Sequence, residues 1–142
     1  MEGIVVGTWN VGPFDNDDAQ DLLDVIRKDS TILSFEAALD KVILTGEDYL
    51  EAPEAQQGIA AAGLIAQTKG EFETKFDANI DSSFMEYLRS LRFEAYMYEK
   101  SHLCIRRILR DPSELMDLWK DSPQYVNWKL TLESILERLD AR

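Results

Sequence analysis

The sequence predicts an all-α protein: an irregular multi-helix bundle with a short extended N-terminal arm, forming a single helical domain over residues 1–142. Three observations carry that expectation. Tyr49–Thr68 has Pro53 placed to open a helix, and Ala55–Thr68 then gives fourteen residues without a formal charge, five of them alanine and two glycine. Side chains this small let neighbouring helices approach closely, since alanine costs nothing in helix propensity and glycine about 1 kcal/mol. Most other segments repeat apolar residues at helical spacing, and caps, prolines and glycines punctuate them.

The arm comes first. Ile4, Val5 and Val6 are β-branched, and Gly7, Gly12 and Pro13 keep any extended run short. Trp9 and Phe14 sit among these breakers and are expected to pack against the helical body, or alternatively to present Trp9 to a partner. A first helix is expected from Asp15, capped by Asp15 or Asn16, with Ala19, Leu22, Leu23 and Ile26 as its apolar stripe. Asp17, Asp18 and Asp21 lie near its positive end, and Arg27 and Lys28 near the opposite end. Ser34 is placed to cap a second helix that buries Phe35, Ala38, Leu39, Val42 and Ile43 and that Gly46 can end.

Apolar character around most of the circumference of the Pro53 helix predicts contacts with several elements rather than one. Past Gly70, Phe72 and Phe76 fit one helical turn within a polar stretch running to Asn79. Asp81 or Ser82 can cap the next segment, which reads as two helices with a bend near Ser90, because one helix to Arg110 would exceed the usual globular range. Asp111-Pro112-Ser113-Glu114 predicts a new helix start with Asp111 as cap and Pro112 at the first helical position. Ser122-Pro123 repeats the arrangement before a last helix carrying Trp128 as an interhelical wedge.

Twenty-seven acidic against fifteen basic side chains give a net charge of -12. That field repels phosphate backbones and anionic lipid surfaces, so neither nucleic acid nor membrane is an expected partner, and a basic protein is favoured. No run approaches a membrane span and Ile4–Val6 is too short for a secretory core, which gives a cytoplasmic expectation. With Cys104 the only cysteine and His102 the only histidine, an intrachain disulfide and a zinc site of paired cysteines are excluded.

Candidate sites are sparse. Asp15-Asn16-Asp17-Asp18 offers oxygen ligands but lacks the turn glycine and distal glutamate of a calcium loop, so no metal and no cofactor is expected. Glu47, Asp48, Glu51 and Glu54 would support acid–base chemistry only if two of them converged in a cleft. Cys104 reads as a packed small side chain and His102 as exposed or paired locally near Glu99; two residues apart, they do not share a helix face. Arg106, Arg107 and Arg110 form the densest basic group, for which an intramolecular acid is the expected partner.

GTWNVGPFDNDDAQDLL, YLEAPEAQQGIAAAG and RRILRDPSELMDLW together resemble the bacterial domain-of-unknown-function family numbered 4259, from about Gly7 to the C-terminal helix. The chain departs from that pattern at Asn10, where the family commonly has glycine. The resemblance implies a small, mainly helical protein with no assigned reaction and no catalytic residue set to carry over. Acidic excess and the missing catalytic set favour a non-enzymatic protein-binding or inhibitory module, with Trp9, Phe14, Asp15, Asp17, Asp18 and Asp21 as the expected binding residues. A structural or regulatory homodimer formed by an unburied helical face, with Trp128 or the small-residue helix as candidate parts of it, is the first alternative, and a small hydrolase using Glu47, Asp48, Glu51 or Glu54 the second.

Overall fold

The computed structural model describes residues 12–28, 32–69 and 82–140. Over these the chain forms seven helices: α1 (Asp17–Lys28), α2 (Ile32–Ile43), α3 (Ala52–Gln67), α4 (Ser82–Ser90), α5 (Ala95–Ile108), α6 (Glu114–Lys120) and α7 (Tyr125–Asp140). The only extended pairing among the described residues is a parallel bridge between Leu50 and Ser113. The fold is all-α, as the sequence predicts. The arm around Ile4–Val6, Trp9, Asp81, Phe72 and Phe76 lies outside the described residues.

Helix α3 packs against all six of the others, and every residue from Gly58 to Gln67 is buried. Its small residues make this possible. At Gly58 an added Cβ would lie 2.6 Å from Val42 Cγ2 and 2.8 Å from Cys104 Sγ, so α2 and α5 approach α3 closely there. Around it, one hydrophobic cluster takes side chains from every helix, including Phe14, Phe35, Leu64, Ile105, Trp119 and Trp128.

The helix boundaries differ from the sequence reading where two start signals compete. Asn16, rather than Asp15, caps α1, its Oδ1 accepting from the Ala19 amide at 2.7 Å, while Asp15 accepts from the Gly12 amide at 3.1 Å. Ser34 lies inside α2, since Ile32 packs against the core and already belongs to the helix. Gly46 ends the α2 connection with φ 59°, a conformation that glycine adopts without a Cβ penalty. The segment from Ser82 forms two helices, α4 and α5, as expected, and Phe93 in the break between them is buried edge-on against Phe35 at 5.0 Å. Ser113, and not Asp111, caps α6, and Pro112 stands before the helix rather than at its first position, its carbonyl accepting from the Leu50 amide. In α7, Trp128 stacks on Trp119 at 5.9 Å, whereas Val126 and Leu130 face solvent.

Candidate functional site

The segments that the sequence singles out meet at the N-terminal half of α3. The Leu50 amide donates to the Pro112 carbonyl at 3.2 Å and the Glu114 amide to the Leu50 carbonyl at 2.9 Å. Glu114 then accepts from the Ala52 amide at 2.7 Å, serving one of the free amides that open α3, where Glu51 makes no side-chain cap. Arg107 fastens the same junction from beneath. Its guanidinium donates to the carbonyls of Gly46 (2.8 Å), Asp48 (2.8 Å), Arg110 (2.9 Å) and Pro112 (3.0 Å), and burial and the neighbouring Arg110 lower its pKa. The acid expected for Arg107 is therefore replaced by backbone oxygens.

On the α1 side, Asn16 donates to Gln56 at 3.0 Å and Gln57 to the Asp18 carbonyl at 3.2 Å, tying the start of α1 to α3. Asp17 and Asp21 are exposed and Asp18 is half-buried. Burial, with Asp21, Asp17 and Glu54 adding repulsion, raises the Asp18 pKa above its ordinary value. Glu54 Oε1 is buried without a hydrogen-bond partner among the described residues. Phe14, expected to pack against the helical body and also named as a binding residue, is fully buried and packs toward Gly63, so it serves the core. Trp9 lies outside the described residues.

An aromatic contact missing from the sequence reading is supplied by Tyr49. It is 53% exposed and lines a groove of about 470 Å³ with Leu118, Pro123, Glu114, Asp117 and Asp121. Partial desolvation, then Glu114, Asp117 and Glu51, raise its phenol pKa. Tyr49 and Glu114 are 65 positions apart in sequence numbering, and the Leu50–Ser113 bridge, the Ala52–Glu114 bond and Arg107 bring their surroundings together.

The four carboxylates proposed for acid–base chemistry do not converge. Glu47 is 87% exposed and meets Arg110 at 3.4 Å, Asp48 and Glu51 are exposed, and Glu54 turns toward Asp18. Cys104 is fully buried and burial pushes its thiol pKa well up, leaving an inert packed side chain. His102 pairs with Asp140 at 3.4 Å and not with Glu99. Among the described residues no group of three or more His, Cys, Asp or Glu could hold a metal ion. No helix there is long and apolar enough to cross a membrane.

An all-α protein, with seven helices among its described residues and loops fastened around one buried helix, is thus the class that fold and surface define. The family described as a domain of unknown function (DUF4259) matches residues 7–131, and the chain belongs to it. No curated protein and no solved structure matches the chain.

Proposed function

We propose that this protein is a non-enzymatic binding or inhibitory module that takes a basic protein partner at the N-terminal end of α3. The observation that carries the reading is Tyr49: a half-exposed aromatic ring set among the carboxylates of Glu114, Asp117 and Glu51. Such a ring attracts a lysine or arginine through its π face and excludes water around the contact, while the carboxylates complement the cation's charge. Asp17, Asp18, Asp21 and Glu54 extend the negative field on the α1 side of the same helix end and favour encounter with a basic surface.

A homodimer in which Trp128 or the small-residue helix forms the contact gains no support, since Trp128 is 3% exposed and Gly58–Gln67 is buried throughout, and one through another exposed helical face is a matter for light scattering. The hydrolase reading gains no support from the separated Glu47, Asp48, Glu51 and Glu54 carboxylates. Affinity capture with the tagged protein at low and moderate salt tests the binding reading. A stoichiometric basic partner, retained at low salt and lost when Asp17, Asp18 and Asp21 are reversed to lysine or Tyr49 is replaced by alanine, is the expected result. Unchanged capture by both variants, or no reproducible partner at either salt, would reject it.

A further inference from the structure

A second surface has the opposite character. Leu103, Arg106 and Arg107 follow at helical spacing of three and four along the end of α5, and Arg110 lies just past its last residue. With Ile43 from α2, Leu109 and Leu136 from α7, they line a groove of about 550 Å³. Its apolar wall is open to water: Leu103 is 55% exposed, and Leu44, next to Ile43, is 81% exposed. Arg107 is committed to its four carbonyls, but the other two arginines are not held in this way. Arg106 is exposed with no ion-pair or hydrogen-bond partner among the described residues, and Arg110 makes only 3.4 Å contacts with Glu47 and the Asp111 carbonyl.

Charge selects the occupant. Of the three grooves described, the Tyr49 groove contains Glu114, Asp117 and Asp121, and the groove beside Tyr98 contains Glu99 and Asp140. The Leu103 groove has three arginines in its lining and no carboxylate, on a chain of net charge -12. A basic segment would meet Arg106 and Arg110 unfavourably. Nucleic acid would present phosphates to Arg106 and Arg110 but leave the four aliphatic side chains uncovered and face the repulsion of the whole chain. An amphipathic helix with aliphatic residues on one face and glutamates or aspartates beside them satisfies both parts, since helices bind such grooves through anchors at three-, four- and seven-residue spacing.

We propose that the groove between the end of α2, α5 and α7 is a docking surface for an acidic amphipathic helix of a partner protein, seated on Leu103 and Leu136 and held by Arg106 and Arg110. It is separate from the Tyr49 surface and stands whether or not that surface binds a basic partner.

The probe is a fluorescently labelled synthetic helical peptide with leucines on one face flanked by glutamates, and its control has lysines in place of the glutamates. Fluorescence anisotropy at two salt concentrations is read with the wild-type protein and with Leu103→Asp and Arg106→Glu, whose fold is checked by circular dichroism. The expected result is saturable binding of the glutamate peptide, at least about tenfold weaker for the lysine peptide and for each variant, and weaker at higher salt for the wild-type protein. Equal binding of the two peptides, indifference to Leu103→Asp, or no saturable binding of the glutamate peptide would overturn the proposal. Light scattering supplies the remaining arm: a dimer that Leu103→Asp abolishes would give the groove to a second copy and equally overturn it.

Discussion

At the residue scale the chain depends on polar side chains placed where the sequence pattern shows only charge. Arg107 belongs to a group of three arginines for which an intramolecular acid is the expected partner, yet it is 5% exposed and serves four backbone carbonyls. Lysine has a compact head without the planar fork and cannot reach all of them. Arg107→Lys should therefore destabilise the fold by about 3 kcal/mol or more in chemical denaturation, as carbonyls lose charge-assisted bonds worth about 1.5–3 kcal/mol each. The two α3 glycines separate helix propensity from packing. Replacing Gly58 by alanine gains about 1 kcal/mol of propensity but forces a Cβ to within 2.8 Å of Cys104 Sγ, so a net loss of about 1–2 kcal/mol is expected. Gly63→Ala meets Phe14 Cζ and Pro13 Cβ at 3.4 Å, and its thermal midpoint should stay close to that of wild type. Asp18 gives a pH signature. Its pKa is raised in the folded state, so its contribution to stability is fully present below the unfolded value and is lost as pH rises through the folded one. Asp18→Asn should consequently stabilise the protein slightly at pH 7, by about 0.5 kcal/mol or less, with the gain fading toward pH 3; a gain that persists unchanged there would contradict the assignment.

At the element scale, the helices were legible in the sequence and their fastenings were not. The stripe of Ala19, Leu22, Leu23 and Ile26 marks α1 because burial on one face imposes a local period. The same logic finds the stop at Gly46 and the wedge at Trp128. It fails at the start of α6, where Asp111-Pro112 satisfies every local rule but the cap is Ser113, displaced by pairing with Leu50, which lies 63 positions earlier in sequence numbering. The α4–α5 break carries no proline or glycine either. Arg92 adopts φ 51° there, held by the burial of Phe93 against Phe35, a tertiary contact without a local signature. For the same reason the Tyr49 groove was invisible: its residues come from two segments that long-range contacts between loops bring together. Glu114→Ala tests that junction. It removes the carboxylate that serves the Ala52 amide and should cost about 1 kcal/mol, while Glu114→Gln, which keeps an acceptor, should recover part of the loss.

At the scale of the whole molecule, a net charge of -12 is unevenly displayed. Carboxylates of α1, the start of α3 and α6 surround Tyr49 and Asp18, whereas the end of α5 shows arginines beside leucines. Composition favours a basic partner, and the sequence around Trp9 and Phe14 offers those two rings as its aromatic contacts. Phe14 is in the core, and Tyr49 is the aromatic that faces water within the acidic surround. A fold with one deeply buried helix and loops fixed by Arg107 and Glu114 holds that surround in place before any partner arrives, which lowers the ordering cost of binding. The decisive measurement is the dissociation constant of the captured basic partner at low and moderate salt, for the wild-type protein and Tyr49→Ala. Binding by the wild type that weakens with salt, together with a loss of roughly tenfold or more at both salts on removing the ring, is the predicted result. Affinity indifferent to salt, or unchanged by Tyr49→Ala, would contradict a basic partner seated at the end of α3.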